Sequence, residues 1–216
     1  MYCSRFALMK NKVLTKIILP CVIILAMTSC EKDENGYFLS PNYCTATING
    51  KEYIDRESYL FPLWGHSPRA ELYCDNFYIG DKIVDITPVL IISSHLEPAK
   101  GNNGSTEYSL KLYIKNFKVD KLVDGQSYLF SYTSALDDLS YTPLDSIFKS
   151  MWKEDINVAL ISFEDTSYKS ASGTIHFSCY DKKESNMNGN FEATITLTVS
   201  GREPIQLEGY MYTGIM

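Results

Sequence analysis

The chain has 216 residues, ample for one domain with a real core, and its 20 basic and 26 acidic side chains give a formal charge of −6. Such a balance repels nucleic acid and anionic membrane surfaces, which argues against both as charge-driven partners. It says nothing about fold.

The N-terminus has a layout of its own. Arg5, Lys10, Lys12 and Lys16 precede the apolar run from Ile17 to Met27, then come Thr28, Ser29 and Cys30. Glu31-Lys32-Asp33-Glu34-Asn35-Gly36 follow with no apolar residue among them. Basic, apolar, small and then polar is the order of a secretory signal peptide. A membrane-spanning helix needs about 20 apolar residues, and this run has eleven, with Pro20 inside it. Met9-Lys10-Asn11-Lys12 begins a signal peptide of normal proportions, so residues 1–8 read as an over-extended gene start.

Thr28-Ser29-Cys30 resembles the lipobox of bacterial lipoproteins. That resemblance implies cleavage before Cys30, acylation of its thiol and attachment to the membrane through the lipid. Simple secretion is the alternative, since Met27 is not the branched aliphatic usual at that position. Lys32-Asp33-Glu34 resembles the Lys-acid-acid tag of Bacteroidetes lipoproteins exported to the outer face of the outer membrane. Attachment facing the periplasm is the alternative, and a plain solvated tether also explains these charges. The chain thus divides into a signal peptide, 1–29, a flexible acidic tether, 30–41, and a single β domain, 42–216. Without the first 29 residues, 187 remain with 16 basic and 26 acidic side chains, a formal charge of −10.

Within the domain, Asn49-Gly50 lies between Thr45–Ile48 and Lys51–Ile54 and predicts a two-residue hairpin turn. Tyr59 to Pro68 packs two prolines and a glycine among aromatic residues, which predicts a loop. Its Tyr59, Phe61, Trp64 and His66 form a candidate binding loop, or else rings folded inward to plug one end of the core. Ile83–Ser93 is apolar almost without alternation and predicts a strand covered on both sides, with Pro88 marking a bulge, break or edge. Tyr108, Leu110, Leu112 and Ile114 alternate with polar residues. Leu144, Ile147, Phe148 and Met151, extended by Trp152, predict a helix over 143–153. Thr142 is its candidate cap and Pro143 its first residue. Val158–Phe163 predicts a second doubly covered strand. Residues 173–213 predict a three-stranded meander with Ile175, Phe177, Cys179 and alternate residues of Phe191–Val199 buried.

Three cysteines remain after Cys30: Cys44, Cys74 and Cys179. At most one disulfide can then form within a monomer. Cys44 with Cys74 is the candidate pair, and Cys179 is expected buried and reduced.

The chemistry is sparse. His66, His95 and His176 each stand alone, no zinc spacing or metal-binding motif is present, and no cofactor is implied. No Gly-x-Ser-x-Gly elbow occurs. Asp137-Asp138 at a strand end is either a carboxylate pair for calcium or hydrolysis or a polar turn. Tyr113, Tyr128, Tyr132, Tyr210 and Tyr212 alternate with buried residues, where they can read carbohydrate or simply suit strands.

The opening through Glu34, followed by Thr45-Ala-Thr-Ile-Asn-Gly-Lys-Glu-Tyr53, is similar to the start of many small Bacteroidetes lipoproteins with all-β domains. The resemblance implies location and fold class, and carries no activity. The expectation is therefore an antiparallel all-β domain, a sandwich or flattened barrel of roughly 8–10 strands with one short helix. Its expected role is non-enzymatic: a surface binding module for a glycan or an envelope-protein partner. A structural adhesin or fimbria-like subunit and, third, a hydrolase are the alternatives.

Overall fold

The turn at Asn49-Gly50 sets the first ladder. Both residues take positive φ, 49° and 79°, as a two-residue type I′ turn requires. Ile48 then faces Lys51, and β1 (Tyr43–Ile48) pairs antiparallel with β2 (Lys51–Arg56). In this computed structural model the described residues are 42–56, 68–73, 77–79, 82–84, 88–99, 106–117, 125–137, 143–163, 167–181, 190–199 and 205–215.

The strands that follow are β3 (Arg69–Tyr73), β4 (Phe77–Ile79), β5 (Lys82–Val84), β6 (Val89–Pro98), β7 (Tyr108–Ile114) and β8 (Gln126–Phe130). Helix α1 (Leu144–Glu154) precedes β9 (Val158–Phe163), β10 (Ser167–Asp181), β11 (Asn190–Val199) and β12 (Ile205–Gly214). Of the stretch expected as one strand over 83–93, the described residues belong to the end of β5 and, after Pro88, to the start of β6. Proline has no N–H to give a ladder, so it stands just ahead of the pairing. The meander appears as expected in β10, β11 and β12, although β10 starts earlier, at Ser167.

Eight of the strands close into an antiparallel barrel in the order β10, β11, β12, β1, β2, β6, β7, β9 and back to β10. At two places in the wall one strand position is shared by two strands laid end to end. Strand β6 pairs with β3 over Val89–Ser93 and with β2 at Glu97–Pro98, while β7 holds its opposite edge. Strand β10 pairs with β9 over Ser167–Ala171 and with β8 over Gly173–Phe177, while β11 holds its opposite edge. Strand β3 also meets the far end of β12, through an Ala70–Ile215 bridge and a 3.0 Å hydrogen bond from Thr213 Oγ1 to the Pro68 carbonyl.

Alternation sends one face of each strand inward, and these residues fill the barrel. Leu90, Ile92 and Leu96 of β6 meet Leu110 and Leu112 of β7, Ile161 of β9, and Ile195 and Leu197 of β11 in one core. Phe117, Phe177, Phe191 and half-buried Tyr128 add rings spaced 5.1–6.0 Å apart. An eight-stranded barrel has about the bore that side chains alone can fill.

A second core lies on the outside of the wall. Ile147, Phe148 and Met151 of α1 pack on Val89, Tyr113, Val158 and Leu160. This is why Val158–Phe163 is apolar without alternation: one face looks into the barrel and the other lies under the helix. Trp152 completes the stripe, edge-on to Phe148 at 5.9 Å. The helix begins one residue later than expected, with Pro143 at the N-cap position and no side-chain cap bond. Thr142, its expected cap, lies outside the described residues. It ends at Asp155, whose φ of 57° turns the chain back so that Ile156 N–H donates to the Met151 carbonyl at 3.1 Å.

Candidate binding face

Several expected site residues lie outside the described set: Cys30, the loop residues Tyr59, Phe61, Trp64 and His66, Cys74 and Asp138. The side chain of Cys179 does too; the register shifts between Phe177 and Cys179, so the backbone of Cys179 pairs with Glu192. Cys44 is described. It carries a free thiol, buried in the barrel, rather than a described bridge to its expected partner Cys74.

The polar groups around Cys44 explain themselves structurally. Asp55 faces Cys44 across the β1–β2 ladder and is 2% exposed. Its Oδ2 accepts a hydrogen bond from Ser94 Oγ at 2.8 Å and another from the His95 N–H at 2.7 Å. His95 stands where the edge of β6 passes from β3 to β2, so a carboxylate takes the place of the absent strand partner. Burial pushes the Cys44 thiol up to about 12, Ser94 pulls it down, and the charge of Asp55 raises it further. A thiol so held is a poor nucleophile.

The two described histidines, His95 and His176, have separate partners. His95 Nε2 is 3.2 Å from Glu107 Oε2 and its Nδ1 is 3.4 Å from Ser109 Oγ. His176 points outward, as its alternation predicts, with Nδ1 2.9 Å from Ser127 Oγ. Among the described residues no three His, Cys, Asp or Glu side chains converge as a metal site. Asp137 belongs to a polar turn: it accepts from Tyr132 OH at 2.6 Å and from Ser170 N–H at 2.8 Å.

The tyrosines separate by environment. Tyr113 is buried under α1, Tyr128 is half-buried among the barrel phenylalanines, and Tyr132 is held by Asp137. Tyr210 and Tyr212 instead stand on the outer face of β12, and Tyr43 of β1 joins them. Register places Tyr43 opposite Tyr212. Its ring centroid lies 5.9 Å from that of Tyr210 and 6.2 Å from that of Tyr212, with interplanar angles of 33° and 27°. Burial and a hydrogen bond to Glu192 both raise the Tyr210 phenol above its ordinary range, with Tyr43 adding to the rise. The hydroxyl therefore stays protonated and donates to the Glu192 carboxylate.

Around this strip the wall is hydroxylic. Thr45 and Thr194 flank Tyr210 across the two ladders, and the next row holds Thr47, Glu208, Thr196 and Thr174. All four of that row are exposed. Neither Tyr43 nor Glu192 was a candidate site residue in the sequence, although alternation along Phe191–Val199 does put Glu192 on the wet face. Tyr43-Cys-Thr-Ala-Thr-Ile48 does alternate, but only the β1–β12 register reveals that its outward tyrosine meets Tyr210 and Tyr212. No helix among the described residues is long and apolar enough to cross a membrane. Comparison with protein-family models, with curated proteins and with solved structures finds no match to this chain.

Proposed function

We propose that this chain is an exported, lipid-anchored binding module of the outer membrane, displayed at the cell surface. Cys30 bears the lipid, residues 31–41 are the tether, and the barrel carries the contact surface for a glycan or an envelope-protein partner. The address comes from the sequence, from the small residues before Cys30 and the Lys32-Asp33-Glu34 that follow it. The observation that carries the binding role is the strip of Tyr43, Tyr210 and Tyr212, three half-buried rings on a wall made largely of threonines and glutamates. Rings on a wet sheet face cost hydration without filling a core, and they offer apolar contact with a polar tip.

Metabolic labelling with a palmitate analogue tests the address. The intact chain is expected to label and to fractionate with membranes, and Cys30→Ala to lose the label and be released or mislocalised. Unchanged labelling and fractionation of Cys30→Ala would overturn the anchoring. Antibody staining of intact cells distinguishes surface display from a periplasm-facing anchor.

A further inference from the structure

We infer that the outer face of β11, β12 and β1, centred on Tyr43, Tyr210, Tyr212 and Glu192, takes an uncharged glycan chain. The inference rests on the binding-module reading above and names its ligand class.

The chemistry of the face selects that class. A sugar ring has an apolar C–H side that stacks on an aromatic ring and an equatorial rim of hydroxyls that both donate and accept. The strip supplies the first need, with rings tilted by only 27° and 33° from one another. Its surroundings supply the second. Glu192 is an acceptor beside Tyr210, and hydroxyls stand on either side at Thr45 and Thr194, each directly opposite Tyr210. Threonine side chains are short, so the rings rise above their neighbours. The outward rows run on across five strands, from Thr47 on β1 through Glu208 and Thr196 to Thr174 and Leu129. At about 4.8 Å between strands, that is room for an extended chain rather than a single sugar.

Charge decides against the neighbouring classes. Glu192, Glu208 and Glu52 stand on this wall with one basic residue, Arg56, at the register position opposite Tyr43, and the chain beyond residue 29 has a formal charge of −10. Three carboxylates against one arginine leave the face net acidic, which disfavours uronate, sulfate and phosphate groups. A protein partner would need a desolvated apolar centre, but the rings here are bordered mainly by Thr45, Thr194 and Glu192, and half-buried Ile54, opposite Thr45, adds a single aliphatic side chain. Leu129, 65% exposed, lies away from them on β8.

Affinity electrophoresis of the full mature domain tests this, using gels that contain a neutral β-glucan, a neutral mannan or polygalacturonate. Retardation by a neutral polysaccharide is expected, with none by polygalacturonate. Tyr210→Ala and Tyr212→Ala are expected to weaken that binding at least about tenfold, the scale of one lost aromatic contact. Thr198→Ala, in the row beyond Thr196, should leave it unchanged. Tyr210→Phe and Glu192→Gln keep the packing and remove only the hydroxyl–carboxylate pair, so a several-fold loss in them reads the site even if an alanine variant unfolds. Equal retardation of the wild type and the tyrosine variants would overturn the inference, as would no retardation by either neutral gel or preference for the anionic one. Binding to zwitterionic lipid vesicles that the tyrosine variants abolish, without glycan binding, would also overturn it. A palmitate-labelled, surface-exposed protein that fails on every glycan gel would sink this inference alone, leaving the anchored binding module with a protein partner.

Discussion

Asp55 shows how a single side chain can complete a wall. Its carboxylate accepts from Ser94 Oγ and the His95 N–H where β6 changes partners. Asp55→Ala leaves two donors without their acceptor in a buried place and is expected to cost about 3 kcal/mol. Asp55→Asn keeps an acceptor and should cost less than half of that; urea denaturation compares them. Nothing in Lys51–Arg56 announces this role, because it depends on where β2 stops and β3 begins along β6, which is set by contacts distant in sequence. Cys44 carries a second prediction. Its protonated form is favoured in the fold, with the thiol at about 12 against 9.0 outside it. The resulting stability is fully present below pH 9 and falls as pH rises towards 12, by at most about 1.4 kcal/mol per pH unit. Cys44→Ala should therefore show a flatter loss of stability between pH 9 and 11 than the wild type, as thermal melts across that range would reveal.

Helix α1 and strand β9 were legible as elements because each has its own local pattern. The 3.6-residue stripe located the helix to within a residue, and the unbroken apolar run of β9 announced two covers. What lay beyond local pattern was which surface supplies the second cover: the helix sits on the outside of the barrel, across β6, β7 and β9. Burial along the helix ranks its substitutions. Phe148 is 1% exposed and touches Tyr73 and Trp152 at 5.2 and 5.9 Å. Phe148→Ala should cost about 3–5 kcal/mol. Leu144, at the first turn and 37% exposed, should cost under about 1 kcal/mol when changed to Ala, within the range of surface substitutions that touch no special feature. Equal losses in chemical denaturation would contradict a helix docked by its Ile147–Met151 face.

At the scale of the molecule, the β class and the meander could be read, but closure could not, and the described residues hold twelve strands where roughly 8–10 were expected. Period-two alternation fits a barrel wall and a sandwich equally, and the difference rests on pairings such as β2 with β6 and β7 with β9, whose partners no local signal names. Gly173 is the residue that closure leans on most. It pairs with Leu197 on one side and Phe130 on the other, at the point where β10 changes from β9 to β8. Its φ is 152°, and a Cβ there would lie only 2.0 Å from the Thr196 carbonyl oxygen. Gly173→Ala must force the two strands apart and is expected to destabilise by about 3 kcal/mol or more, with backbone strain and a steric clash acting together. A melting temperature within a degree of wild type would show that the β10–β11 approach is looser than its geometry.

The ladder that joins Tyr43 to Tyr212 has a consequence for how the molecule is made. Strand β1 sits between β2 and β12, so one of its edges waits for a strand more than 150 residues further along the sequence. Until then β1 and β11 are both unprotected templates on which a neighbouring chain could add a strand. Pairing over so long a stretch of sequence is slow. The tyrosine strip shares that seam. A chain that had not yet paired β12 with β1 would hold Tyr43 apart from Tyr210 and Tyr212, and the three-ring strip would form only with that pairing.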